Sequence, residues 1–207
     1  MSSEAVRTVM RVSLMVFAGG RSSRLSGAPK GALDVGGQPL LGRVLRELGP
    51  LADEVVLLTN PELAEVYRDL GTFRTVFDAE SYSGPLNALA NGLAGCAGEV
   101  CLAVACDMPF ASRALFEELL ALRESSGATV AVARSSDGQL QPLHGVYLRE
   151  GALAVSREAL AGGVRSLVGG VLRMEPAVLE VSDDRAFFNV NTPEELEAAR
   201  ALASGRG

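Results

Sequence analysis

The chain has 207 residues, 48 % of them hydrophobic and 21 % charged, the size and composition of one ordinary globular domain. Its net charge of −6 and pI of about 4.9 leave no general basic surface for nucleic acid, and a basic segment within so acidic a chain points to a small anionic ligand. The apolar run from Val12 to Ala18 is too short for a membrane span, and its glycine-rich exit does not read as a signal-cleavage site.

Strand and helix signals alternate along the chain, which predicts an α/β fold with a mostly parallel central sheet. A flexible lead is expected over 1–11 and one domain over 12–203. Strands are expected at Val12–Ala18, Glu54–Leu58, Thr75–Phe77, Val100–Ala105, Thr129–Ala133, Gly145–Leu148 and Ala177–Val181. Helices are expected over Pro39–Leu48, stopped by Gly49-Pro50, and over Pro61–Leu70, ended by Gly71. Pro85–Leu93 opens another. Ser112 reads as the N-cap of a further helix running to about Arg123, whose core face carries Leu115, Phe116, Leu119, Leu120 and Leu122. Arg149 to Val171 is helical with glycine breaks that the sequence does not divide. Thr192 caps the last helix, with Pro193 at its first position and Glu195 completing a capping box.

The segment after the first strand carries the chemistry. Gly19 and Gly20 end the strand, and Arg21, Arg24 and Lys30 follow with no acidic residue from Arg21 to Gly31. Glycines let a backbone approach a ligand and turn its N–H groups toward an anion, and the cations suit a polyphosphate. Paired glycines alone would also serve a plain strand-to-helix turn. A Walker A loop would need Ser or Thr where Gly31 stands, and the Gly-x-Gly-x-x-Gly dinucleotide fingerprint is absent.

Asp107 stands where the Val100–Ala105 strand should end, the place where open α/β sheets bind ligands. A carboxylate there suits Mg2+, a hard cation; a capping or turn role is the alternative. Asn60 follows the second strand and is placed to meet a nucleotide, with the Leu58 or Thr59 backbone the alternative contact in its stead. Gly84-Pro85-Leu86 marks a helix start whose N–H groups can face substrate. Asn189 and Asn191, two apart in an extended segment, project to one side and can converge on a ligand or on a metal's surroundings, or simply tie down their loop. His144 is the only histidine, so it cannot form a zinc site by itself, and a hydrogen-bonded loop role competes with a functional one. Cys96, Cys101 and Cys106 lack a zinc spacing and read as buried thiols; their odd number favours a reducing, cytoplasmic compartment.

The loop from Val16 to Gly31, the Cys106-Asp107-x-Pro109 run, Gly84-Pro85-Leu86 and Asn189-x-Asn191-Thr-Pro-Glu-Glu-Leu together resemble the molybdenum cofactor guanylyltransferase family of the nucleotidylyltransferases. The resemblance runs from Val12 to about Leu196. It implies a single three-layer Rossmann-like domain in which Phe17, Ala18, Gly19 and Gly20 wrap a nucleoside triphosphate. It further implies that Arg24 and Lys30 hold phosphates, that Asp78 contacts the nucleotide and that Asp107 binds Mg2+. A Gln-Pro-x-x-Gly-like run beside the family's acceptor site places Gln141 and His144 there, with Asn189 and Asn191. The implied reaction moves GMP from GTP to the phosphate of molybdopterin or molybdenum-molybdopterin and releases pyrophosphate. Molybdopterin-delivery proteins and apo-molybdoenzymes are the implied protein partners; neither nucleic acid nor membrane is expected. Two departures bear on nucleotide choice: Pro29 stands where the family commonly has Asp, and Leu25-Ser26 where it has Met-Gly. A cytidylyltransferase is therefore the nearest rival, and a nucleotide-binding regulator without turnover is the rival of another class.

Overall fold

The computed structural model describes residues 10–19, 27–77 and 84–205. They form one sheet of seven strands: β1 (Val12–Phe17), β2 (Glu54–Thr59), β3 (Arg74–Phe77), β4 (Val100–Ala105), β5 (Val130–Arg134), β6 (Leu140–Leu148) and β7 (Ala177–Glu180), in the order β3-β2-β1-β4-β6-β5-β7. All neighbours are parallel except β6, which runs antiparallel to both β4 and β5. β4 is buried along its whole length, as its unbroken run of apolar residues requires of a central parallel strand.

Helices cover both faces. On one, α1 (Leu40–Leu48) and α4 (Arg113–Ser126) pack Leu41, Val44, Leu48, Phe116 and Leu119 against Leu14, Val16, Leu102 and Val104. On the other, α3 (Pro85–Gly95), α5 (Arg149–Ala161) and α6 (Leu167–Leu172) bring Leu86, Leu89, Leu93, Ala152 and Val171 onto Met15, Cys101 and Ala103. α2 (Pro61–Tyr67) links β2 to β3 and ends in a 3-10 turn over Arg68–Leu70. The last helix, α7 (Pro193–Ala203), forms a small separate core in which Leu196 and Ala199 meet Val35, Leu40 and Val190. Among the described residues no helix is long and apolar enough to cross a membrane.

Three expectations need correction. The strand expected to start at Gly145 starts at Leu140, so Gln141 and His144 lie within a strand. Its polar and proline residues hid it, and a register shift between Val132 and Ala133 of β5 breaks the ladder beside it. The undivided region from Arg149 to Val171 separates into α5 and α6 at Gly162 and Gly163, where Gly163 takes a positive φ of 85°. α4 continues beyond Arg123 to Ser126, where Gly127 ends it in the left-handed conformation.

Candidate active site

Where the strand order turns back, β1 is followed on one side by β2 and on the other by β4. Crossovers leave in opposite directions there and open a crevice at the strands' carboxyl ends. A cleft of about 470 Å³ occupies this place. Phe17, Leu58, Ala88, Ala105 and Leu143 give it apolar walls, while Gly19, Thr59, Asn60, Lys30 and Asp107 supply polar groups.

The strand ends are locked together by the backbone. The Ala18 N–H donates to the Leu58 carbonyl at 2.8 Å and the Cys106 N–H to the Phe17 carbonyl at 3.0 Å. The Thr59 hydroxyl donates to the Ala18 carbonyl at 3.2 Å. Ala18 is itself buried and does not line the cleft; its backbone ties the end of β1 to the end of β2.

At the charged end of the cleft three segments meet. The Lys30 ammonium donates to Asp107 Oδ2 at 3.0 Å and to Asn191 Oδ1 at 2.6 Å. The Lys30 and Asp107 side chains are 14 % and 17 % exposed, so the pair is shielded from bulk water yet open to a ligand. Each member has its own support. Lys30 opens a 3-10 turn, Lys30–Ala32, whose Gly31 N–H donates to the hydroxyl of buried Tyr67 at 3.2 Å. A Cβ on Gly31 would lie 2.9 Å from the Tyr67 ring, so only glycine fits without a shift. The Asp107 carbonyl accepts from the Val190 N–H at 3.0 Å, which ties the β4 end to the segment carrying Asn191. Asn191 is fixed in turn because its N–H and that of Thr192 both donate to the Glu195 carboxylate, at 2.6 and 3.0 Å. The capping box on α7 thus also positions a cleft residue.

The structure distributes the other sequence candidates unevenly. Gly20, Arg24 and Asp78 lie outside the described residues. Asn60 lines the cleft, but its Oδ1 caps α2 by accepting from the Leu63 N–H at 2.9 Å, leaving only its amide N–H groups for a ligand. Gly84 also lines the cleft, yet the α3 N-terminus is not the free donor set expected. Pro85 has no N–H, the Leu86 N–H is taken by the Arg165 carbonyl at 3.3 Å, and that of Asn87 by Gly84 at 3.1 Å.

His144 is corrected outright: it is fully buried on the sheet face opposite the one Leu143 presents to the cleft. Its ring lies between Phe187, edge-on at 5.0 Å, and Phe116 at 5.7 Å; neither nitrogen meets full hydrogen-bond geometry, and the only polar help is a weak approach to the Ala186 backbone. Burial pushes its pKa down to about 4, so it sits in the core as a neutral ring. Gln141 donates to the Ser135 hydroxyl at 3.0 Å and takes no part in the Lys30 cluster. Asn189 is half-buried, while Val190 beside it is driven into the α7 core.

Neither Tyr67 nor Leu143 is among the residues the sequence points to: Tyr67 lies in no motif, and Leu143 fills an unspecified position of the Gln141-to-Gly145 run. All three cysteines are free and buried, as expected. Burial raises the pKa of the Cys106 thiol and of the Tyr67 hydroxyl, so neither offers an ionised nucleophile at neutral pH. The site therefore combines an apolar slot suited to a planar base with a cation–carboxylate–amide cluster suited to phosphates.

Comparison with known proteins agrees with this geometry. Residues 14–177 match the family described as MobA-like NTP transferase domain. A Pseudomonas putida protein named molybdenum cofactor guanylyltransferase is 37% identical over 189 residues, covering 89% of this chain and 95% of the relative. A protein of that name from Burkholderia ambifaria is 33% identical over 192 residues, covering 89% and 93%. The crystal structure of molybdopterin-guanine dinucleotide biosynthesis protein A from Archaeoglobus fulgidus superposes with a TM-score of 0.77 at 23% identity, covering 93% of this chain and 99% of that one. With the cleft at the sheet's switch point, the match over most of its length establishes that the chain belongs to the MobA-like NTP transferase family.

Proposed function

We propose that the protein transfers GMP from GTP to the terminal phosphate of molybdopterin, with or without molybdenum already bound, and releases pyrophosphate. The convergence of Lys30, Asp107 and Asn191 at the mouth of a base-sized apolar slot carries this reading. The names of the relatives supply the substrates. An oxygen of the acceptor phosphate attacks the α-phosphorus of GTP, a new P–O bond forms, and the bond to the β-phosphate oxygen breaks as pyrophosphate leaves. The nucleophile is already an anion, so no protein base is required. Catalysis then rests on alignment and on neutralising charge.

In this reading Lys30 and Arg24 hold the β- and γ-phosphates, and Asp78 and Asn60 contact the nucleoside. Binding requires Lys30 to exchange its Asp107 partner for phosphate, which frees the carboxylate as the cluster opens. Asp107 fits Mg2+ carried in by the nucleotide: Mg2+ commonly takes one or two carboxylates and completes its shell with phosphates and water. When bound, Mg2+ supplies charge stabilisation at phosphate oxygens. Asn189 and Gln141 are the remaining neutral amides assigned to the pterin, whose ring edge both donates and accepts hydrogen bonds. We place the enzyme in the cytoplasm, where free thiols persist, handing its product to apo-molybdoenzymes after receiving molybdopterin from a delivery protein.

The test is pyrophosphate release by purified protein given molybdopterin, Mg2+ and either GTP or CTP. Release with GTP that disappears in Asp107→Ala, with the circular dichroism spectrum retained, supports the proposal. Faster release with CTP would reassign the nucleotide. Tight GTP binding without release would make the protein a regulator.

A further inference from the structure

The Pro109–Ser112 segment that follows Asp107 borders a second cavity of about 250 Å³, to which Arg43, Arg46, Glu47, Phe110, Ser112 and Arg185 contribute. None of these residues belongs to the nucleotide site. We propose that this pocket is a binding site for a phosphate group, held by the three guanidinium groups against the Phe110 ring.

Three arginines from two distant parts of the chain converge there. The Arg43 and Arg185 guanidinium carbons stand 5.8 and 4.9 Å from the Phe110 ring centroid, so one aromatic ring anchors two cations. Arg43 is held in place, with Nε donating to the Pro109 carbonyl at 3.2 Å and Nη1 to the Val35 carbonyl at 3.1 Å. Its remaining nitrogen still carries donors. Among the described residues, Arg46 and Arg185 make no ion pair.

The neighbouring carboxylates do not close this gap. Glu47 accepts from the Arg113 N–H at 3.1 Å, Asp34 from the Gly37 N–H at 3.1 Å, and Asp183 from the Arg185 N–H at 3.0 Å. Of these three only Glu47 lines the cavity; Glu118, Glu180 and Asp183 line an adjoining one that shares Arg185 and Phe110, so the uncompensated positive charge is concentrated at Arg43 and Arg46. The crowding is felt: burial and the charges of Arg46 and Arg185 hold the Arg43 pKa below its ordinary value, partly offset by Asp34 and Glu47. Like charges kept together without counterions are an electrostatic cost that a bound oxyanion removes. The planar guanidinium fork matches phosphate oxygens, which makes phosphate the natural occupant.

The phosphate has two possible sources, a free phosphate ion or a phosphate ester other than the acceptor, whose terminal phosphate must reach GTP in the cleft. The primary test needs no transfer activity, so it stands or falls apart from the function proposed above. Inorganic phosphate is titrated calorimetrically into wild type, Arg46→Ala/Arg185→Ala and Lys30→Ala. Both pocket arginines are exposed, and a urea melt of the double variant checks its fold. We expect the dissociation constant to rise at least about tenfold in the double variant, to recover partly in Arg46→Lys/Arg185→Lys, and to change little in Lys30→Ala. Unchanged binding in the double variant, or loss confined to Lys30→Ala, overturns the proposal. Titration of glycerol phosphate then assigns the source. Binding at least as tight as that of inorganic phosphate, lost in the double variant, identifies an ester. Binding weaker than that of inorganic phosphate identifies the free ion.

Discussion

Burial of His144 makes a quantitative prediction about stability. Its folded-state pKa of about 4 lies below the ordinary value of 6.5 because burial between Phe116 and Phe187 desolvates the ring, an effect only partly offset by the Ala186 backbone. Between those two values the unfolded chain binds a proton that the folded chain refuses. Stability therefore rises with pH across this window; the contribution is complete above pH 6.5 and is lost as pH falls toward 4. A displacement of this size corresponds to about 3 kcal/mol, of which about 2 kcal/mol should vanish between pH 7.5 and pH 5. His144→Leu removes the titration while nearly conserving volume, and should keep stability at pH 7.5 within about 1.5 kcal/mol of wild type. Urea denaturation of both proteins at several pH values isolates the effect, because the depressed carboxyl of Glu54 contributes equally to each. Parallel stability–pH curves for the two proteins would refute the reasoning and return His144 to a solvated site.

Lys30→Ala should weaken GTP more than GMP, by about 1.5–3 kcal/mol, because the lost charge-assisted contact is to the departing phosphates; equal losses in calorimetric titrations would place Lys30 elsewhere. Asn191→Ala should reproduce part of that GTP defect, since its Oδ1 holds the Lys30 ammonium at 2.6 Å, whereas Asn189→Ala should spare GTP binding. Pterin affinity lost with GTP affinity intact would move Asn191 to the acceptor side. Tyr67→Phe leaves the buried Gly31 N–H without its acceptor and should cost about 1–3 kcal/mol in a urea melt, with a raised KM for GTP as the Lys30 turn loosens. An unchanged melt would mean that the turn finds another acceptor.

What the sequence made legible follows the range of the forces involved. β4 was read to the residue because its apolar run is a local property, and the Thr192 cap because its hydrogen bonds span three residues. β6 was read short because Gln141, Pro142 and His144 obscure its pattern, and its burial comes from partners far along the chain. Lys30 and Asp107 stood out as motif residues, but their contact at 3.0 Å joins positions 77 residues apart. The two asparagines looked equivalent; only tertiary packing, with Val190 drawn under α7, separates Asn191 at the cluster from Asn189. His144 misled because a lone polar residue in a distinctive run looks functional, while its burial depends on Phe116 and Phe187 from other elements.

The link between Lys30 and Asn191 closes a loop of 161 residues. Contacts of such long range come late, since loop-closure entropy must be met before they contribute. On the ribosome, β1 and its glycine turn emerge long before the amide that steadies Lys30. A nascent chain can therefore gather β1, β2 and β4 while the Lys30 cluster still lacks its Asn191 member. If the function proposed above holds, tight nucleotide capture is expected only once the segment under α7 has docked, so ligand binding during synthesis would report that docking rather than formation of the sheet.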